Sequence, residues 1–202
     1  MINRQIILAS GSPRRIEIMR RQGYEPLIMP SSVDENLPFH GGMKETAMFL
    51  ALKKARDVEL RHLSSSQNPD STPDGRPPVI IAADTIVYYD GEVMGKPVDK
   101  EDGFRMLSAL RGQVHYVVTG VALVEAGAQN TRVFADITKV YFTDYTDEEL
   151  LAYLDTDEAY DKAGGYAIQG HFAKYVDHFD GSYDNVVGFP WDRIETELTY
   201  FE

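Results

Sequence analysis

Five consecutive apolar residues, Val79-Ile80-Ile81-Ala82-Ala83, constrain the fold of this chain most tightly. An unbroken run of this kind predicts a strand buried on both faces, as in the middle of a sheet covered by helices on either side. A second short run, Gln5-Ile6-Ile7-Leu8-Ala9, ends at Ser10-Gly11-Ser12-Pro13 and predicts another buried strand entering a turn. Between and after these runs the apolar residues follow the helical period. Lys44 to Leu63 carries Ala47, Leu50, Ala51 and Val58 on one stripe, and Asp99 to Leu110 carries Phe104, Leu107 and Leu110. Apolar strands alternating with periodic helices predict the α/β class and conflict with an all-β fold or a helical bundle. A length of 202 residues suits one domain, or a two-lobed one, with a substantial core.

Taken in order, Ser12 is placed as an N-cap and Pro13 as the first residue of a helix to Gln22, closed by Gly23. Arg14 and Arg15 then fall in its first turn, where the dipole disfavours cations unless an anion joins them. They read either as a phosphate site or as two solvated arginines. Glu25 to Met29 predicts a short strand. The polar loop Ser31 to Pro38 carries Asp34 and Glu35, whose side chains point opposite ways in an extended segment. Lys54 shares the apolar stripe of the long helix and either snorkels to water or meets an anion; Lys53 lies off it. Ser64 to Pro78 is polar and rich in breakers, which predicts a mobile surface loop.

The central strand is expected to end at Asp84-Thr85, after which Ile86-Val87-Tyr88-Tyr89 continues toward a turn. An acid directly after a buried strand is costly, and strand ends are where open α/β sheets place ligands, so Asp84 is a functional candidate. Asp90-Gly91 predicts a hairpin turn. Lys96 is held between Gly95 and Pro97. Val114 to Val124 and Thr131 to Phe142 read as a long hairpin, and Thr146 with Glu149 as a capping box. Asp161 to Gly170 reads as a glycine-rich loop into a short strand, and it lacks the Rossmann and P-loop spacings. Gln169 in it offers a donor and an acceptor suited to a base edge. Asp180 to Asn185 reads as a loop, and a last helix runs from Trp191 to Leu198.

The formal net charge of −12 argues against a nucleic-acid polymer as partner, because duplex binding relies on broad basic surfaces. From Asp144 to Asp161 there are eight carboxylates and no Lys or Arg, which reads as a solvated face. With no cysteine, disulfides, thiol catalysis and zinc-thiolate sites are excluded, and a cytoplasmic location is compatible. No apolar run approaches the ~20 residues of a membrane span, and the start of the chain lacks the pattern of a secretory segment. Four cations in suspect places (Arg14, Arg15, Lys54, Lys96) and two such acids (Glu35, Asp84) remain. Cations orient a polyphosphate, while one or two carboxylates with waters and phosphates hold Mg²⁺. The set suits metal-assisted hydrolysis of a nucleotide.

The motifs Leu8-Ala9-Ser10-Gly11-Ser12-Pro13-Arg14-Arg15, Val33-Asp34-Glu35, Ala83-Asp84-Thr85, Gly95-Lys96-Pro97, Asp161 to Gly170 and Gly181-Ser182-Tyr183 through Val186 to Pro190 occur in that order over nearly the whole chain. In this the sequence resembles the Maf family of nucleoside triphosphate pyrophosphatases. The resemblance implies one domain over residues 1–202, an elongated mixed twisted sheet with flanking helices, and two lobes around a deep cleft, as in inosine triphosphatase-like folds. It implies cleavage of a nucleoside triphosphate to the monophosphate and pyrophosphate with Mg²⁺ or Mn²⁺. Asp84 would accept the proton from water, Glu35 and Asp84 would hold the metal, and Ser10, Arg14, Arg15, Lys54 and Lys96 would engage the triphosphate. Arg14, Thr85 and Gln169 match the subgroup that prefers dTTP and UTP.

Departures are few: Ser64–Pro78 is longer than the family pattern needs, Arg111 replaces a common Ser, and Phe189 a usual Leu. Alternative readings are a pyrophosphatase for inosine-, xanthosine- or 7-methyl-GTP-type substrates, and a nucleotide-binding regulator that does not turn over. A homodimer is left open.

Overall fold

In a computed structural model, which describes residue 2 and residues 4–35, 41–65 and 75–202, the two apolar runs become adjacent strands. The chain runs β1 (Ile6–Leu8), α1 (Pro13–Arg21), β2 (Leu27–Ile28), α2 (Met43–Ser64), β3 (Val79–Tyr89), β4 (Glu92–Met94), α3 (Lys100–Leu110), β5 (Val114–Glu125), β6 (Thr131–Phe142), α4 (Asp147–Leu154), β7 (Val176–Asp180), α5 (Tyr183–Val186) and α6 (Trp191–Leu198). One seven-stranded sheet has the order β2-β1-β3-β5-β6-β7, with β4 paired to β3. β1 is parallel to β2 and β3, whereas β3–β4 and β6–β7 are antiparallel, so the sheet is mixed and the α/β expectation holds. Among the described residues no helix is long and apolar enough to cross a membrane.

Two compact units make up the chain. The first comprises Met1–Asp84, Thr119–Asp136 and Gly188–Glu202; the second comprises Thr85–Val118 and Ile137–Val187. In the first, strand alternation decides which side chains meet α2. Ile7 and Ala9, Ile80 and Ala82, and Ala122 and Val124 pack with Ala51, Ala55 and Val58. Small residues on both surfaces let helix and sheet approach closely. At Gly120 on β5 a Cβ would lie 2.1 Å from the carbonyl oxygen of Ala47, so no other residue fits there without moving α2. Helix α1 closes as expected: Gly23 has φ 84°, and the Gly23 and Tyr24 amides donate to the carbonyls of Arg20 and Met19.

Several expectations are corrected. β3 does not end at Asp84 but runs on to Tyr89, because the carboxylate finds a cation and the backbone ladder need not break. Asp161 to Gly170 holds no strand. Gly164 and Gly165 adopt φ 70° and 76° in the 3₁₀ turn Ala163–Gly165, where a Cβ on Gly164 would meet Val87 at 2.8 Å. Two successive left-handed residues turn the chain rather than extend it. The strand follows later as β7, mostly exposed and therefore without an apolar alternation to betray it, and α5 occupies part of the expected 180–185 loop. The boundaries near Glu25–Met29 contract to β2. Of the loop expected over 64–78, Ser64 closes α2, residues 66–74 lie outside the described residues, and Pro78 accepts a hydrogen bond from the Ala126 amide at 3.0 Å. The hairpin turn at Asp90–Gly91 has φ 48° and 87°, and the capping box at Thr146 and Glu149 forms in both directions.

The second unit has an aromatic core that includes Phe142, Tyr145, Tyr153, Tyr166, Phe172 and Tyr175. His115 is fully buried in it, 2.6 Å from the Tyr166 hydroxyl and edge-on to Phe142 at 4.7 Å. Burial lowers the imidazole pKa to about 3, so the folded protein holds it neutral. An unfolded chain protonates this group below its ordinary value of 6.5, and the folded one does not. The unfolded state thus binds more protons between pH 6.5 and 3, and stability from His115 falls as pH falls through that window. Urea titrations of the wild type and His115→Gln should show an additional loss of about 1.4 kcal/mol per pH unit in the wild type alone below pH 6.5. Parallel pH profiles would contradict it.

Candidate active site

Alternation along β3 places Asp84 on the same face as Ile80 and Ala82, toward α2, and Thr85 on the other. On α2, Lys54 sits one turn beyond Ala51, so the close helix–sheet packing brings its ammonium to the carboxylate. Lys54 Nζ donates to Asp84 Oδ1 and, at 2.8 Å, to Glu35 Oε1. The Asp84 side chain is 7% exposed and that of Lys54 15%, whereas Glu35 is about half exposed. Of the two readings of Lys54, the anionic partner is the one observed. Its neighbour Lys53 donates to Asp34 Oδ1 at 3.0 Å and to the Asp34 carbonyl at 2.9 Å. Adjacent acids thus take adjacent lysines, one pair inward and one outward.

The turn after β1 supplies the second half of the constellation. Ser10 is 8% exposed, and its Oγ accepts from the Ser12 amide and from Arg15 Nη1, each at 3.2 Å. Arg15 Nη1 also donates to the Ala83 carbonyl at 2.8 Å, and Nε to the Gly188 carbonyl at 2.9 Å. Arg15 therefore ties α1 to the backbone just before Asp84. Burial pulls its pKa below the ordinary value, while the negative charges of Asp84 and Glu35 oppose that shift and Arg14 adds to it. Arg14 is half-buried and makes no hydrogen bond or ion pair among the described residues. Ser12 occupies the N-cap position, yet its side chain makes no capping bond and the first turn holds no acid. Ser10, Arg15, Glu35, Lys54 and Asp84 are thus brought together within the first unit.

Thr85, Lys96 and Gln169 belong to the second unit. Thr85 is half-buried on β3. Lys96 is exposed and has no hydrogen bond or ion pair with a described residue; the preceding carbonyl, of Gly95, accepts from the Gly164 amide at 2.9 Å. Gln169 is exposed and its Nε2 donates to the Tyr183 hydroxyl at 2.9 Å. Three contributors escaped the sequence reading: the carbonyls of Ala83 and Gly188, which have no side-chain signature, and the Tyr183 hydroxyl, whose Gly181-Ser182-Tyr183 motif marked the place without a role.

The donor set suits one kind of metal site. Two carboxylates converge on a single point, marked by the Lys54 ammonium, and a hydroxyl lies nearby. Among the described residues no group of three or more His, Cys, Asp or Glu could hold an ion alone. Such a pair fits a hard divalent cation that takes its other oxygens from water and phosphate, and it does not fit an all-protein cage.

Because one ammonium cannot span three acceptors as a guanidinium fork does, Arg15→Lys should lower stability by about 1–2 kcal/mol in urea denaturation. An unchanged midpoint and slope would show that the three contacts are not stabilising.

Residues 5–201 match the family described as Maf-like protein. The chain is 38% identical over 195 residues to a dTTP/UTP pyrophosphatase of Caldicellulosiruptor bescii, covering 96% of this chain and 94% of the relative. It is 40% identical over 196 residues to one of Desulfitobacterium hafniense, covering 97% and 85%. A third, from Carboxydothermus hydrogenoformans, is 40% identical over 194 residues, covering 96% and 97%.

Proposed function

This chain belongs to the Maf family, and on that premise we propose that it hydrolyses dTTP and UTP, with their modified pyrimidine analogues, to the nucleoside monophosphate and pyrophosphate. The observation that carries the reading is the convergence of Asp84, Glu35 and Lys54 beside the Ser10–Arg15 turn. A nearly buried carboxylate, fixed on a long strand, is suited to take a proton from a water molecule. Water then adds across the α–β anhydride: its oxygen joins phosphorus, its proton passes to Asp84, and the bridging oxygen leaves with pyrophosphate.

Glu35 and Asp84 would hold Mg²⁺ or Mn²⁺, which would neutralise phosphate charge as it shifts to the leaving group. Arg14, Lys54 and Lys96 are assigned as cations for the triphosphate. Ser10 offers a hydroxyl. Arg15 contributes charge from a fixed position, since Nε and Nη1 are spent on the scaffold. Arg14, Thr85 and Gln169 are assigned to choice of the base; Gln169, whose amide nitrogen is engaged by Tyr183, keeps its carbonyl side for a ring N–H. The reading treats residues 1–202 as one functional domain working in the cytoplasm, as a monomer or homodimer, on a small nucleotide rather than a nucleic-acid polymer.

Pyrophosphate release across dTTP, UTP, CTP, 7-methyl-GTP and ITP, with Mg²⁺ or Mn²⁺, tests it. dTTP and UTP should lead, and Asp84→Asn should lower turnover by about a hundredfold or more, the usual cost of losing a general base. Near-normal turnover in that variant would refute the role of Asp84, and preference for ITP or 7-methyl-GTP would move the chain to another substrate class.

A further inference from the structure

Lys54 does more in this structure than wait for a phosphate. Its ammonium lies between the two carboxylates that the proposed function gives to the divalent ion, bonded to Glu35 Oε1 and Asp84 Oδ1 at once. Its side chain is 15% exposed and that of Asp84 is 7%, so water screens the pair poorly. An ammonium and a divalent cation within a few ångström of each other in such a place repel strongly, and the ammonium already takes one oxygen of each carboxylate. Lys53, the next residue, makes a similar bond to Asp34 in an exposed pair that does not include Asp84.

We infer that Lys54 is the resident counter-ion of Glu35 and Asp84 and makes divalent-metal binding conditional on the triphosphate. Without nucleotide, the lysine satisfies both acids and holds metal affinity low. A triphosphate offers the ammonium new oxygens, and its transfer to them frees the carboxylates. Metal and nucleotide therefore bind with positive coupling, and Lys54 is the element both of them bias. The inference rests on the proposed assignment of Glu35 and Asp84 as metal ligands, but not on turnover.

Mn²⁺ titrations of the full chain without nucleotide, followed by the electron paramagnetic resonance of the free ion, test it. Lys54→Met should bind Mn²⁺ at least about tenfold more tightly than the wild type, equivalent to about 1.4 kcal/mol. Lys54→Gln, neutral and still able to donate to the acids, should move in the same direction, and thermal melting checks that each variant folds. Lys53→Met should leave the affinity unchanged. Adding Asp84→Asn to Lys54→Met should abolish the gain, which places the ion at these carboxylates rather than elsewhere on an acidic surface. Equal or weaker binding by both Lys54 variants, or a gain that survives Asp84→Asn, would overturn the inference. A tighter Lys54→Met beside a wild type inactive on every nucleotide would leave the inference standing and remove the pyrophosphatase reading. An active wild type with unaltered Mn²⁺ affinity in the variants would do the reverse.

Discussion

The bond from Lys54 to Asp84 is the interaction that admits a charged side chain to the first unit's buried sheet. An ionised carboxylate in the middle of a buried strand has no place in a sheet unless a cation reaches it. That cation arrives because α2 packs against the sheet without intervening side chains at Gly120, and because Ala47, Ala51 and Ala55 have small ones. A substitution at Gly120 is distant in sequence from every catalytic candidate, yet it bears on the position of Lys54. The packing of small residues and the placing of charge are one arrangement.

Much of this was legible in the sequence. The unbroken apolar run at Val79–Ala83 announced a sheet covered on both faces, and the stripe through Ala47, Leu50, Ala51 and Val58 put Lys54, not Lys53, on the inward side of its helix. Adjacency alone separated Asp34 from Glu35, and the two do take different lysines. What escaped was whatever depends on pairing between distant segments. An acid after an apolar run looks like a strand end, and only the lysine thirty residues earlier lets β3 continue through it. The fixing of Arg15 escaped for a related reason: its acceptors at Ala83 and Gly188 are backbone carbonyls, which every residue has.

The second unit obeys a different logic. Its core is aromatic, with His115 held neutral among Phe142, Tyr166 and their neighbours. Consecutive left-handed glycines at 164 and 165 turn the chain beneath the segment that ends at Gln169. Glycine spacing in the sequence excluded the familiar phosphate cradles but could not show this turn, nor that Val87 and Pro97 from elsewhere in the unit leave little room for a Cβ at these two positions. β7 was invisible because its two partly buried apolar residues, Val176 and Phe179, are three apart and do not show the two-residue period of a strand.

On the proposed function, these side chains serve the splitting of a nucleoside triphosphate at its α–β anhydride. Phosphorus NMR of the wild-type chain with dTTP and Mg²⁺ tests it most directly. The three triphosphate resonances should give way to those of dTMP and pyrophosphate in equal amounts, with no orthophosphate. Accumulation of dTDP with orthophosphate, or unchanged dTTP at high enzyme concentration, would contradict it.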